Sequence, residues 1–179
     1  ATLMSRRKTM KIFWNWCVKH EFVAISPARF LKIKKQRNSL VTKAIPSEVL
    51  SAMLEQVNRK RASSVITRDT AILSLMITYG ARAGDVARLP LSNINLREEW
   101  IVLHVKGDNE IRLPVPPQTG RHLAAWLEIR RRQIPDPPHN FVFTTNRTAQ
   151  GNRYGPMASS SISTLIKRLS KEVCGTAYG

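Results

Sequence analysis

The chain has 179 residues, 42% of them hydrophobic, with 29 Lys and Arg against 12 Asp and Glu and a net charge of +17. That hydrophobic share is enough for a packed core, which excludes disorder throughout, and the length suits one domain plus part of a second. No apolar run approaches the ~20 residues a membrane-spanning helix needs; even the 71–77 run is interrupted by Ser74, so a transmembrane protein is excluded.

The charge is unevenly placed. Residues 1–43 carry eleven basic groups, Arg6, Arg7, Lys8, Lys11, Lys19, Arg29, Lys32, Lys34, Lys35, Arg37 and Lys43, against the single acid Glu21, a net +10 that leaves +7 for the rest of the chain. A concentrated basic segment is an electrostatic footprint for a polyanion, and nucleic acid is the expected partner. Taken alone, 32–37 also fits a solvated linker. A membrane-surface helix fits less well, because Phe13, Trp14, Trp16 and Val18 read as a packing stripe rather than an interfacial anchor. The two cysteines, Cys17 and Cys174, stand far apart with no Cys-x-x-Cys or His-x-x-x-His spacing. A structural zinc site is not expected, and both thiols are expected reduced and packed as small hydrophobes in a cytosolic protein.

In chain order, apolar groups at Leu3, Met10, Phe13, Trp14, Cys17 and Val18 predict a helix over 3–19. The N-terminus has no secretory signal and reads as a helix already in progress, so the chain is expected to be cut from something larger. A turn at 21–25 and a short helical piece at 28–31 follow. Residues 32–43, nearly devoid of apolar groups, suit an extended basic linker and a domain boundary. Val49, Leu50, Met53, Leu54 and Val57 give a clean apolar face for a helix over 46–59, with Pro46 in its first turn. Ser64 or Thr67 is the expected cap of the next helix, whose core run is Ala71, Ile72, Leu75, Met76 and Tyr79, and Gly80 stands where a left-handed terminator belongs.

Segments 93–96, 100–105 and 111–115 are short and rich in β-branched or aromatic residues, separated by two tight polar connections, and predict a three-stranded antiparallel meander. Helix returns over 119–132, with Leu123, Trp126 and Leu127 inside and Arg121, Arg130, Arg131 and Arg132 outside. Prolines at 135–138 break it, 141–143 is a short buried run, 145–156 a loop, and 159–173 a last helix. The fold class is mainly α with a small three-stranded antiparallel sheet.

Two spots are chemically unusual. In Gly80-Ala81-Arg82-Ala83-Gly84-Asp85, an arginine follows a helix-ending glycine on stiff backbone. Asp85 lies three residues on, near enough to accept from the guanidinium and orient it toward a phosphate. A structural Arg–Asp pair at a helix junction explains the same six residues. Lys106 sits at the corner of the second hairpin, before Gly107, where a lysine is commonly just solvated.

Together, the helix, the Gly-x-Arg-x-x-Asp box, a three-stranded sheet with lysine on its second turn and a basic segment in front resemble the tyrosine recombinase, or phage integrase, family. Thr78-Tyr79-Gly80-Ala81-Arg82-Ala83-Gly84-Asp85-Val86 is similar to that family's first-arginine box. Val105-Lys106-Gly107 followed by Ile111-Arg112-Leu113-Pro114-Val115 is similar to its β-hairpin lysine box. The resemblance implies the C-terminal part of a helical core-binding domain at 1–31, a basic linker at 32–43, and the N-terminal part of a catalytic domain at 44–179. The family's His-x-x-Arg box is absent, since His20, His104, His122 and His139 are none of them followed by Arg three residues on. The nucleophile's role passes to none of Tyr79, Tyr154 and Tyr178. The expectation is therefore an internal piece, carrying part of the machinery.

The family's reaction attacks a DNA phosphodiester with a tyrosine, forms a 3′-phosphotyrosyl link and releases a 5′-hydroxyl, without metal or nucleotide cofactor. The resemblance implies Arg82 on the non-bridging oxygens, Asp85 orienting it, and Lys106 as general acid for the 5′-oxygen. Arg6, Arg7, Lys8, Lys32, Lys34, Lys35 and Arg37 are the candidate DNA-binding cations. The implied setting is the cytoplasm of a bacterium or a phage-infected cell, with the full-length protein oligomerising on double-stranded DNA. The alternative is a non-catalytic basic nucleic-acid-binding protein in which Arg82 and Lys106 merely touch phosphates. A metal-dependent nuclease is disfavoured because Asp69, Asp85, Asp108 and Asp136 are dispersed. A phosphate-loop NTPase lacks its glycine-rich run.

Overall fold

The computed structural model describes residues 3–33, 45–57, 63–105, 109–134, 139–145 and 154–178. It divides into two compact units, Ala1–Lys43 and Ala44–Gly179. In the first, helix α1 (Leu3–Lys19) is followed by turns. Phe22 N–H donates back to the Cys17 carbonyl at 3.0 Å, and the Phe22 ring stacks on Trp16 with centroids 5.4 Å apart. The expected helical piece at 28–31 is two successive turns, closed by Arg29 N–H on Ser26 and Leu31 N–H on Ala28. The aromatic stripe of α1 is largely in solvent rather than packed. Cys17 and Ala28 are buried, but Met10, Phe13, Trp16 and Phe22 are all exposed. With one helix in this unit among the described residues, only a narrow side of α1 has anything to pack on.

The second unit is helical with one small sheet. Helix α2 (Ser47–Val57) buries Met53 and Val57. Helix α3 (Ser63–Tyr79) carries the centre of the core, with Ala71, Ile72, Leu73 and Leu75 at most 1% exposed. Each such Leu or Ile contributes about 2 kcal/mol of transfer free energy. Ser64 and Thr67, expected as caps, lie inside α3, because the helix starts at Ser63. Helix α4 (Ala83–Ala87) is a single turn that sinks Val86 and Ala87 into the same core.

A 3₁₀ turn at Leu91–Asn93 leads into strand β1 (Ile94–Asn95), then β2 (Trp100–Val105) and β3 (Asn109–Pro114), antiparallel in the order β1-β2-β3. The register pairs Trp100 with Pro114, Val102 with Arg112, His104 with Glu110 and Val105 with Asn109. Alternation turns Ile101 and Leu103 inward and leaves Trp100, Val102 and His104 on the other face. This is the predicted meander, with β3 beginning two residues earlier than the apolar pattern suggested.

Helix α5 (Pro117–Gln133) has Pro117 in its first turn, where the missing N–H costs no hydrogen bond. It packs on α3 through Leu123 and Trp126, whose indole N–H donates to the Val142 carbonyl at 2.9 Å. Arg130 faces inward, contrary to the expected outward row of arginines. It is only 4% exposed, with Nε donating to the Phe141 carbonyl at 3.1 Å and Nη2 to His139 at 3.3 Å. These carbonyls belong to a segment paired only through single β-bridges, Phe141 with Pro90 and Thr144 with Pro156, and the guanidinium gives the two carbonyls their donors. Burial pulls its pKa below the ordinary arginine value. Helix α6 (Ser159–Cys174) buries Ile162, Leu165, Ile166 and Leu169 at helical spacing, packs on α2 and α4, and stops at Gly175 with φ +72°. Cys174 is exposed at that helix end, so it is not the packed hydrophobe expected of it.

At the α3–α5 contact the Ser74 hydroxyl is hydrogen-bonded to His122 Nδ1. Burial, and then the Arg121 cation beside it, hold the His122 pKa below its ordinary value. The unfolded chain therefore takes up this proton at a higher pH than the folded one does. Stability is at its full value above the ordinary histidine pKa and falls as pH drops from there through the folded value. In thermal unfolding from pH 8 to pH 5, His122→Gln is expected to lose less Tm on acidification than wild type. Parallel curves for the two proteins would contradict this.

Candidate functional site

The site is built on the end of α3. Tyr79 closes the helix with its phenol O–H donating to the Pro114 carbonyl at 2.9 Å, tying α3 to the end of β3. Burial pushes the Tyr79 pKa up, so the phenol stays a donor at neutral pH. One residue earlier the Thr78 and Thr119 hydroxyls meet at 2.8 Å, tying the same turn to α5. With the helix end fixed on two sides, the chain reverses at Gly80, whose φ of +62° is open to glycine at little cost.

Arg82 then occupies the N-cap position of α4 in extended conformation, φ −75° and ψ 151°. Its carbonyl accepts from the N–H groups of Asp85 and Val86, both at 3.0 Å. The backbone at Arg82 is therefore pinned, while its side chain is 65% exposed. Asp85 is much less exposed, at 16%, and its carboxylate stands between two arginines. Arg82 Nη1 lies 3.9 Å from Oδ2, and Arg88 Nη2 lies 3.8 Å from Oδ1. These are ion pairs beyond hydrogen-bond length, so Asp85 biases the Arg82 guanidinium without binding it tightly. Arg88 was not singled out from the sequence, although its spacing from Asp85 repeats that of Arg82. Its guanidinium lies over Gly84, where an added Cβ would sit 3.4 Å from Nη2.

Arg82 and Asp85 line a cleft of about 380 Å³ together with Tyr79, Leu103, His104 and Leu113. The β2–β3 hairpin forms its other wall. Lys106, the residue expected to act from that hairpin, lies outside the described residues, as do Lys34, Lys35 and Arg37. On the described strands beside it, His104 Nε2 faces Glu110 Oε1 at 3.3 Å across the hairpin. Further along the same face, Arg112 lies over the Trp100 ring, 4.4 Å from its centroid, with Nη2 3.6 Å from Glu98. Of the other predicted cations, Arg6, Arg7 and Lys8 are exposed along α1 and Lys32 is exposed after its turns. Arg7 and Lys8 share a helix face with Lys11 at i+4 and i+3. Among the described residues no group of three or more His, Cys, Asp or Glu side chains could hold a metal ion. No helix among them is long and apolar enough to cross a membrane.

The model described as the phage integrase family matches residues 18–177. The chain belongs to that family. It is 30% identical over 157 residues to the tyrosine recombinase XerC of Actinobacillus succinogenes, covering 88% of this chain and 50% of that protein. It is 25% identical to XerC of Alcanivorax borkumensis, covering 93% and 52%. The chain thus spans about half the length of the relatives it matches. Among solved structures, a lambda integrase dimer bound to a COC′ core site aligns with a TM-score of 0.62 and 12% identity over 96% of this chain and 57% of that one. XerA recombinase aligns at 0.58 and 22% over 73% and 43%. At such identities these two likenesses speak for the fold, mainly helical with a three-stranded antiparallel sheet.

The conformation at Gly80 is testable apart from any contact, since nothing lies within 4 Å of a Cβ placed there. Gly80→Ala is expected to destabilise the chain by about 1–2 kcal/mol through the left-handed backbone alone. Gly80→Asn is expected to cost less. Denaturant melts of the two variants check the order, and an Ala variant as stable as wild type would refute it.

Proposed function

We propose that the chain is the DNA-binding part of a site-specific recombinase that breaks and rejoins DNA through a 3′-phosphotyrosyl intermediate. The observation that supports this best is Arg82: pinned by its backbone, exposed by its side chain, and biased by a half-buried carboxylate at the mouth of a cleft walled by the β2–β3 hairpin. Family membership sets the chemistry to which that geometry is suited.

In this reading Arg82 binds the non-bridging oxygens of the scissile phosphate and Asp85 orients it. Removing one such donor typically costs ~10²–10³ in rate. Lys106 delivers a proton to the departing 5′-oxygen, which otherwise leaves as an alkoxide. The attacking tyrosine keeps the phosphate bond energy in the covalent link, so rejoining needs no external energy source. Residues 1–31 act as the C-terminal part of a core-binding domain, 32–43 as a basic linker, and 44–179 as the N-terminal part of the catalytic domain. Arg6, Arg7, Lys8, Lys32, Lys34, Lys35 and Arg37 hold the duplex backbone. The DNA substrate and the bacterial relatives suit action in the cytoplasm, on a mobile element or the chromosome. A solved lambda integrase tetramer is bound to a Holliday junction, and by analogy the full-length protein oligomerises on its DNA. Because the 179 residues hold no His-x-x-Arg box, the chain by itself is expected to bind but not cleave.

The test is duplex binding as a function of salt. For about six phosphates covered, log Kd against log salt is expected to change with a slope near 5 in magnitude, and Arg82→Ala to lower it by about one. The same chain incubated with duplex is expected to give no covalent DNA adduct. A salt-independent affinity would refute the DNA reading, and an adduct would refute the inactivity.

A further inference from the structure

We propose that Arg88 is a positioning residue of the Arg82 site: it holds the charge of Asp85, so that Arg82 is free to turn its donors onto a DNA phosphate. The inference rests on the proposed function above, and deepens it by giving the site a second arginine that acts through the acid.

Helix α4 has an arginine at each end. Arg82 is its N-cap and Arg88 its C-cap, each three residues from Asp85. The main chain is held at both. The Arg82 carbonyl accepts from Asp85 and Val86, and Arg88 N–H donates to the Gly84 carbonyl at 3.2 Å. One residue on, the Leu89 carbonyl accepts from Val142 N–H at 2.8 Å. Val86, Ala87 and Leu89 are buried, which fixes the turn against the core. The Arg88 side chain is 73% exposed, yet its guanidinium lies back over Gly84, beside Asp85. Glycine leaves the room for this, since a Cβ at 84 would already touch Nη2.

The charges of the three groups show what the second arginine supplies. Arg82 and Asp85 alone sum to zero, and an anion gains little by approaching such a pair. With Arg88 the three carry one net positive charge. Asp85 is only 16% exposed, so water screens its carboxylate in part, and left alone it would repel a phosphate held by Arg82. The two guanidiniums stand at different oxygens, Arg82 Nη1 at Oδ2 and Arg88 Nη2 at Oδ1. One can therefore leave without displacing the other. Among the described residues these are the two cations paired with Asp85. Among the same residues, Arg82 and Asp85 line the cleft and Arg88 does not, so it acts through Asp85 rather than on the phosphate.

The test measures duplex DNA binding by the 179-residue chain over a range of salt, for wild type, Arg88→Ala, Arg88→Lys, Asp85→Asn and the double variant Asp85→Asn/Arg88→Ala. Arg88→Ala is expected to weaken binding about fivefold, the upper end for an exposed charge pair. In the Asp85→Asn background the same change is expected to cost about twofold or less. Loss of one positive charge is common to both backgrounds and cancels in the comparison. Arg88→Lys, which keeps the charge beside Asp85, is expected to recover most of the affinity. Thermal melts without DNA are expected to give Arg88→Ala the wild-type Tm, because its side chain is exposed. An equal loss in both backgrounds overturns the inference while DNA binding stands. A salt slope lowered by about one in each would then place Arg88 on a phosphate itself. Arg88→Lys as weak as Arg88→Ala, or a loss of binding matched by a fall in Tm, overturns it as well. If wild type does not bind duplex, the inference falls together with the proposed function.

Discussion

The end of helix α3 is held from two directions, and the position of every group in the cleft follows from that restraint. Tyr79 reaches the Pro114 carbonyl on β3, and Thr78 reaches Thr119 on α5, in consecutive residues of one helical turn. Behind them α3 is packed on both neighbours through side chains with almost no exposure, so the helix cannot slide without opening the core. The chain then has a fixed exit, and a single left-handed glycine reverses it. Arg82 inherits that precision through its backbone, while its side chain stays in solvent. A hydrogen-bonded main chain under an exposed guanidinium is an arrangement that suits a group meant to meet a ligand.

The basic charge of the chain is less available than its total suggests. In the second unit Arg68 donates to Asp69 at 2.9 Å and to the Thr144 carbonyl at 3.1 Å, which joins α3 to the segment before α6. Arg131 and Arg132 both bind Glu128, at 3.2 and 2.8 Å, and this draws the Glu128 pKa down. Arg130 spends its charge on two backbone carbonyls with no carboxylate partner among the described residues. These arginines hold the fold together or neutralise one another's surroundings. The cations of α1 are different: Arg6, Arg7 and Lys8 are exposed, and Glu21 is the one acid in residues 1–43. Under the proposed function, DNA would meet a denser positive charge on residues 1–43 than the average charge implies.

Much of this was legible in the sequence where periodicity and punctuation agree. The apolar spacing of α3, the glycine that ends it and the β-branched and aromatic content of β2 all act within a few residues, so local reading found them. The Gly80 turn and the Arg82–Asp85 ion pair were legible for the same reason, since a glycine turn and an i+3 acid are neighbours in the chain. What escaped depends on residues far apart. Three consecutive arginines look alike until the carbonyls of His139 and Phe141 come beneath the first of them. The aromatic stripe of α1 has core composition, yet composition cannot say whether a partner helix is there to cover it. Arg88 carries no motif, and needs the folded Asp85 carboxylate to stand out.

The loose geometry around Asp85 has a consequence for how a phosphate would be received. A carboxylate in tight bidentate contact with Arg82 would hold the guanidinium against any incoming anion. At 3.9 Å and largely in solvent, an ion pair of this sort contributes at most about 1 kcal/mol. A charge-assisted hydrogen bond to a phosphate oxygen contributes about 1.5–3 kcal/mol. Arg82 can therefore move its donors onto the phosphate at small expense, and Asp85 would then be a half-buried carboxylate facing the same phosphate. Arg88, on the other carboxylate oxygen at 3.8 Å, keeps that charge compensated when Arg82 turns away. On the proposed function the two arginines would divide two tasks, Arg82 turning to the phosphate and Arg88 staying beside the acid.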